Sequence, residues 1–293
     1  MSLLPLPVPW TLAYNELREN TLRSIVHDAD LIARFEKGEN LPVGHGRGLD
    51  ERFVELPWLL AHLPAGAGRL LDAGSSLNHA IFLDLPQLTE KRLHIVTLAP
   101  EADSFWKPGV SYVFEDLRSL PFRDGLYDVV ASISTLEHVG CDNRHYTGQE
   151  LPDETRVDDF VPAIREMSRV LKPGGLFLLT VPFGAYEFHG AFQQFDRRRL
   201  SLAERAFGEA SEVSESFFRY SDDGWQRASD GACADCRYVA WVAQVMRTGR
   251  WPDVPRLEPD GAAAARAVAC VKMIKADTRA GADAQMPKSD RDP

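Results

Sequence analysis

The middle of the chain alternates between short apolar runs and amphipathic stretches. The runs are rich in branched residues and nearly continuous, as in strands buried on both faces of a parallel sheet; they lie at 69–73, 93–98, 110–114, 127–133 and 176–181. Residues 158–171 instead place their apolar side chains on one stripe, which is typical of a helix. The pattern predicts an α/β fold in which right-handed crossovers put helices on both faces of a parallel sheet.

The two ends of the chain depart from this alternation. In residues 12–35 the apolar residues recur at helical spacing, which predicts one or two helices. The glycine-rich segment 44–48 predicts a connector. Late strands are predicted at 213–220 and 267–274, with a helical stretch between them. We expect three parts. An N-terminal helical extension and connector covers 1–49, a main α/β domain covers 50–276 with an inserted segment at about 221–262, and a polar, disordered tail covers 277–293.

Composition excludes several classes of partner. The 293 residues carry 33 basic and 43 acidic side chains, and the formal net charge of -10 opposes binding to nucleic acid or anionic lipid. No apolar run reaches about 18 residues, so no membrane span is predicted. The first ten residues have three prolines and no basic region, unlike a secretory signal, and four cysteines are too few for a disulfide scaffold. We therefore expect a cytoplasmic protein, and the sequence leaves its oligomeric state open.

Polar residues follow several of the predicted strands. Asp72 and Gly74 end the first strand, Asp116 follows the third, and Glu137 and His138 lie just beyond the fourth. Ligands of open α/β sheets bind outside the carboxyl ends of the strands, so these residues lie where a ligand is expected. The first turn has one glycine and lacks the Gly-x-Gly-x-x-Gly fingerprint, which disfavours a nicotinamide oxidoreductase.

Five short segments together carry a family resemblance. In chain order they are Asp72-x-Gly74, Asp116 with Leu120-Pro121-Phe122, Tyr127-Asp128-Val129-Val130, Leu136-Glu137-His138-Val139, and the run from Ile164 to Phe177. Their order and spacing resemble the motifs of class I S-adenosylmethionine-dependent methyltransferases over about residues 50–200. The resemblance implies a Rossmann-like, seven-stranded sheet, mostly parallel with an antiparallel last strand, and S-adenosyl-L-methionine as the cofactor.

The resemblance also implies a set of cofactor-binding residues. The turn after the first strand would face the methionine end of the cofactor, and the end of the second strand would lie at the ribose. The start of the loop after the third strand would lie at the adenine, and the end of the fourth strand would lie under the sulfonium. Asp116 would accept a hydrogen bond from the adenine amino group. The residues in these positions are Asp72, Ala73, Gly74, Ser75, Thr97, Leu98, Asp116, Leu117 and Ser134.

Two positions depart from the family pattern. Ser76 and Asn78 stand where the family has its second and third loop glycines, and Thr97 stands where an acidic residue usually holds the ribose. Glu101, four residues later, is an alternative ribose ligand. These departures motivate a second hypothesis, a catalytically silent binding module with the same fold.

The candidate catalytic residues are His138 and Glu137. Methyl transfer from a sulfonium needs a base only where the acceptor loses a proton, and a histidine at the tip of the fourth strand is suited to that role. The alternative is that this pair only caps local structure. We expect an oxygen of a small molecule or a sugar as the acceptor. No metal is expected, although the spacing of Cys233 and Cys236 is compatible with zinc.

Overall fold

The structure is a computed structural model that describes residues 6–148, 155–252 and 256–277. The predicted disordered tail, 277–293, lies outside these residues except for Asp277. None of the helices within the described ranges has the length and apolar character needed to cross a membrane.

Eight strands form one sheet, and two short strands form a separate ribbon. The large sheet has the order β3-β2-β1-β4-β5-β10-β8-β9, and the ribbon pairs β6 with β7. The strands are β1 (Gly68–Ala73), β2 (Lys91–Thr97), β3 (Val110–Phe114), β4 (Tyr127–Ile133), β5 (Leu171–Pro182), β6 (Glu187–Phe188), β7 (Gln193–Gln194), β8 (Ala210–Ser221), β9 (Gly224–Ala228) and β10 (Ala267–Lys275).

The pairing confirms the expected α/β class. Strands β1 to β5 pair in parallel, whereas β10 is antiparallel to both of its neighbours, β5 and β8. This arrangement is the mostly parallel sheet with an antiparallel late strand that the resemblance implied.

The expected number of seven strands was wrong by one, because β9 pairs antiparallel with the outer edge of β8. This strand lies in the segment that the sequence assigned to an insertion. It is held there by Trp225, whose buried indole Nε1 donates to the carbonyl of Leu49 at 3.1 Å. A five-residue strand with one large apolar side chain has no alternation by which its pattern reveals it.

Helices cover both faces of the sheet. They are α1 (Leu12–Ile25), α2 (Ala29–Lys37), α3 (Arg52–His62), α4 (Ala80–Leu83), α5 (Pro86–Thr89), α6 (Arg144–Thr147), α7 (Phe160–Val170), α8 (Arg197–Phe207), α9 (Asp230–Cys233) and α10 (Ala240–Thr248), with a 3-10 turn at Leu136–His138. Helix α2 shows why such segments begin and end where they do. Asp28 accepts from the N–H of Leu31 at 2.9 Å, and Gly38 ends the helix with a φ of 66°.

Two hydrophobic clusters occupy the two sides of the sheet. Successive residues of β1 point to opposite sides: Leu70 packs in a cluster with side chains of α1, α2 and α3, whereas Leu71 packs in a cluster with side chains of α7 and α8. The N-terminal helices therefore share one core with the sheet. Helix α3 lies beside the carboxyl ends of β4 and β5, and its polar residues form hydrogen bonds there.

Candidate active site

The carboxyl ends of the first four strands meet at one cavity of about 280 Å³. Gly74 follows β1, Thr97 ends β2, Asp116 lies two residues beyond β3, and Ser134 follows β4. The structure thus brings most of the predicted site residues together. Those that line this cavity are Gly74, Thr97, Leu98, Asp116, Leu117, Ser134, Glu137 and His138.

The turn after β1 is shaped by Asp72, which is fully buried beneath it. Its carboxylate accepts from the N–H groups of Ser76 at 3.2 Å and Leu77 at 2.8 Å. Burial raises the pKa of Asp72 to about 7, and these two hydrogen bonds act in the opposite direction. Asp72 and the equally buried Ala73 therefore lie behind the turn, and neither lines the cavity.

Gly74 lets the turn approach the neighbouring loop closely. Its φ is 123°, and a Cβ placed there would lie 1.9 Å from Oγ1 of Thr135. Ser75 follows with a φ of 65°, and its Oγ is buried with no hydrogen-bond partner among the described residues. A bare, tightly curved backbone with an unpaired hydroxyl is suited to polar ligand atoms.

The tip of β2 offers both candidate ribose ligands to the cavity. Thr97 and Glu101 line it together with Leu98. Asn78, which replaces a family glycine, donates from Nδ2 to Oε2 of Glu101 at 2.9 Å and accepts from the Tyr112 hydroxyl at 2.9 Å. The departure from glycine at this position thus fixes the carboxylate of Glu101 at the cavity wall.

Asp116 is paired with a cation of its own loop. Arg118 donates from Nη2 to Asp116 Oδ2 at 2.6 Å and from Nε to both carboxylate oxygens at 3.0 Å. Burial alone would raise the pKa of Asp116, but the bonds from Arg118 outweigh it and the pKa is lowered. Asp116 is therefore ionised, and Arg118 occupies most of its acceptor capacity, because the backbone N–H of Arg118 also donates to Oδ1 at 2.8 Å.

Beneath Ser134 lies a buried carboxylate that the sequence analysis did not single out. Glu55 of α3 is fully buried and accepts from the hydroxyls of Ser134 at 2.5 Å and Thr180 at 2.8 Å. Arg52, one turn earlier, donates to its other oxygen at 2.8 Å. This Glu55 network ties α3 to the ends of β4 and β5. A charged residue inside the apolar run of α3 was the only hint of it in the sequence.

Glu137 and His138 line the same cavity as Asp116. Burial raises the pKa of Glu137 well above its usual range, and its Oε2 has no partner within the described part of the chain. The Nδ1 of His138 lies 2.9 Å from the carbonyl of Ala191, so Nδ1 carries the hydrogen and Nε2 is left as an acceptor. Burial lowers the pKa of His138 to about 4, so the ring is neutral near pH 7.

Aromatic side chains form a wall beside this pair. The rings of Phe192 and Tyr238 are 4.7 Å apart, and His138 lies 5.7 Å from Phe192 and 5.5 Å from Tyr146, centroid to centroid. Tyr146, Phe192, Tyr238 and Met246 all line the cavity. These residues come from segments far apart in sequence, so only the fold brings them together.

A second cavity, of about 410 Å³, shares Gly74 and Arg52 with the first. Arg18 and Ser75 line it, as does His79. Burial lowers the pKa of His79, and the nearby charges of Arg18 and Arg52 lower it further. Three arginines line the second cavity, and each pairs with a carboxylate of the chain: Arg18 with Asp50, Arg23 with Glu19 and Arg52 with Glu55.

Two other candidate features lie away from both cavities. Cys233 and Cys236 are buried free thiols, and within the described ranges no three metal-binding side chains come together. In the run of three arginines, Arg197 pairs with Glu215 at 2.5 Å and Arg199 stacks 3.4 Å from the ring centre of Tyr186. Both arginines serve local packing in this structure.

Residues 71–179 match the family model described as a methyltransferase domain. This match confirms the resemblance carried by the sequence motifs: residues 71–179 form a methyltransferase domain. The class of enzyme is thus an S-adenosylmethionine-dependent methyltransferase, with S-adenosyl-L-methionine as its cofactor. No curated protein sequence matches the chain significantly.

Solved structures with a similar fold share little sequence with this chain. The 1,6-didemethyltoxoflavin-N1-methyltransferase of Burkholderia thailandensis, solved with 1,6-didemethyltoxoflavin and S-adenosylhomocysteine, is 17% identical, with 94% of this chain and 93% of that chain covered and a TM-score of 0.44. A Bacillus halodurans protein assigned to the methyltransferases is 15% identical, with 75% and 96% covered and a TM-score of 0.44.

Proposed function

We propose that the 280 Å³ cavity binds S-adenosyl-L-methionine and that the chain transfers its methyl group to an oxygen of a small molecule or a sugar. The observation that carries this proposal is the meeting of four strand tips around one cavity beside a neutral histidine. The bare backbone at Gly74 and the unpaired Ser75 hydroxyl fit a polar ligand that passes over the first turn.

The proposed cofactor contacts follow the order of the strand tips. Asp116 and Leu117 take the adenine, Thr97 or Glu101 the ribose, and Ser134 lies under the sulfonium. Arg52 lines both cavities, so its guanidinium is placed to pair with an anionic end of the ligand. Asp72 and Ala73 act through the shape of the turn.

When bound, the cofactor supplies a methyl carbon already activated by its sulfonium, whose carbon–sulfur electron pair stays with the leaving sulfur. The chain's own residues have to align the acceptor and exclude water. An acceptor hydroxyl must lose its proton as its oxygen is methylated. Nε2 of His138 is the acceptor for that proton, because Nδ1 is held by the carbonyl of Ala191.

The test is methyl transfer from radiolabelled S-adenosyl-L-methionine to a panel of sugars and small alcohols. His138→Gln should lower the rate by about a hundredfold where a hydroxyl is methylated. His27→Gln, at an exposed position on the connector between α1 and α2, is the matched control and should leave the rate unchanged. Equal rates in both variants would show that His138 takes no part in methyl transfer.

A second candidate is the silent binding module, and the pairing of Asp116 with Arg118 favours it. Part of the hydrogen-bonding capacity that the adenine needs is used by the chain itself. This candidate predicts weak or absent cofactor binding and a partner contact through the inserted segment that carries Trp225, Trp241 and Trp251. It fails if Asp116→Ala abolishes a measured methylation.

We also propose the division of the chain at about residues 49 and 276, and a cytoplasmic location, on the sequence features given above. Limited proteolysis tests the division. A fragment that starts near residue 50 should lose stability, because side chains of α1 and α2 share the core cluster with β1.

A further inference from the structure

Glu137 lines the cavity and has a buried carboxyl oxygen without a hydrogen-bond partner among the described residues. Its side chain is 2% exposed, and the oxygen in question is Oε2. Buried polar groups in folded proteins are almost always paired, so an orphan that lines a ligand cavity points to a group on the ligand.

The protonation of Glu137 limits what that group can be. Burial raises the pKa of its carboxyl well above the usual range, and the nearby Glu55 and Glu51 add to this effect while Arg52 opposes it. A raised pKa favours the protonated, neutral form of the carboxyl. A neutral carboxyl both donates and accepts a hydrogen bond, which matches a hydroxyl, whereas an ammonium only donates and a carboxylate only accepts.

The next residue supplies a second neutral partner. Nε2 of His138 accepts, since Nδ1 faces the carbonyl of Ala191. Both side chains line the same cavity, and the rings of Phe192 and Tyr238 stand beside them, with centroids 4.7 Å apart. An aromatic wall of this kind packs against the face of a ring.

We propose that the acceptor is an uncharged ring with two neighbouring hydroxyl groups, one donating to Nε2 of His138 and the other paired with the carboxyl of Glu137. This inference rests on the proposed function and deepens it. The hydroxyl at His138 is the one that is methylated, and the hydroxyl at Glu137 fixes the ring. A sugar and a catechol share this chemistry.

Calorimetry on the full chain saturated with S-adenosylhomocysteine tests the proposal. The ring diols are cis-cyclohexane-1,2-diol, which represents the saturated ring of a sugar, and catechol, and their single-hydroxyl counterparts are cyclohexanol and phenol. At least one diol should bind about tenfold more tightly than its counterpart, which is the effect of one added hydrogen bond. The diol with the larger advantage identifies the sugar or the aromatic source.

Two variants of Glu137 separate a neutral carboxyl from a charged one. Glu137→Leu should remove the advantage of the diol, whereas Glu137→Gln, which is neutral and both donates and accepts, should keep most of it. Equal loss in both variants would indicate a cationic acceptor and overturn the proposal. A comparison of diol with single hydroxyl on the unmodified chain remains decisive if the leucine variant fails to fold.

The other possible results of these titrations also test the proposal. Equal binding of diols and single hydroxyls, or no diol binding to the loaded chain, overturns the inference and leaves the proposed function standing. A weaker affinity of Glu137→Leu for S-adenosylhomocysteine would assign the carboxyl to the cofactor instead. Failure of the unmodified chain to bind S-adenosylhomocysteine counts against the proposed function itself.

Discussion

Gly74 is the residue at which the first loop comes closest to its neighbour. A methyl group there meets Oγ1 of Thr135 at 1.9 Å, and the φ of 123° is one that other residues rarely adopt. Gly74→Ala should therefore lower the free energy of unfolding by about 3 kcal/mol. Gly174, with a φ of 71° and open space around it, is the matched control, and its alanine variant should lose about 1 kcal/mol. Urea denaturation of both variants measures the difference, and equal losses would refute the close approach.

Asp116 is the predicted partner of the adenine amino group. Asp116→Ala removes that acceptor, so the dissociation constant for S-adenosylhomocysteine should rise about tenfold. Asp124 also forms an ion pair, with Arg169 at 2.7 Å, but its side chain is 82% exposed. Asp124→Ala should leave the constant unchanged in the same calorimetric titration. An unchanged dissociation constant in Asp116→Ala would show that the adenine does not bind at Asp116.

His138 gives the folded state a defined dependence on pH. Burial lowers its pKa from 6.5 to about 4, so between these values the unfolded chain binds the proton and the folded chain does not. The contribution of this residue to the free energy of unfolding is therefore fully present above pH 6.5. It is lost as the pH falls from 6.5 to about 4, by a total on the order of 3 kcal/mol. Urea titrations at several pH values should show a shallower loss in His138→Gln. The same slope in both proteins would contradict the burial of the ring.

At the scale of elements, the Glu55 network joins α3 to β4 and β5. Glu55→Leu would leave the guanidinium of Arg52 and the hydroxyls of Ser134 and Thr180 without their acceptor. The free energy of unfolding should fall by about 3 kcal/mol, because breaking a buried ion pair strands its partner. Differential calorimetry gives the loss.

The control for this network is a surface glutamate. Glu39 is 50% exposed and lies 3.7 Å from Arg34, so Glu39→Leu should change stability by less than about 1 kcal/mol. A similar effect of both substitutions would show that the buried pair has no special role.

The sequence predicts the parallel strands well because their signal is local. Strands β1, β2, β4 and β5 each carry buried apolar residues and are bounded by turn residues. Strand β3 was expected to be buried on both faces like the others, but it lies at the edge of the sheet and has no buried residue. The contacts of Glu55 are different, since Ser134 and Thr180 lie 79 and 125 residues away. No pattern within α3 shows whether its charged residues face solvent or the tips of distant strands.

At the scale of the whole molecule, the cavity follows from sheet order. Parallel strands with β1 beside β4 and β2 bring the loops after them to one edge, so Gly74, Thr97, Asp116 and Ser134 meet without any contact visible in the sequence. The aromatic wall of the cavity does not follow in this way. Phe192 and Tyr238 enter it from connecting segments, whose paths depend on packing and not on periodicity.

The central claim is that these strand tips form an adenosyl pocket, and isothermal titration calorimetry with S-adenosyl-L-methionine and S-adenosylhomocysteine tests it most directly. We expect heat from both ligands, one site per chain, and dissociation constants on the order of micromolar. No heat and no change in melting temperature with either ligand would contradict the account.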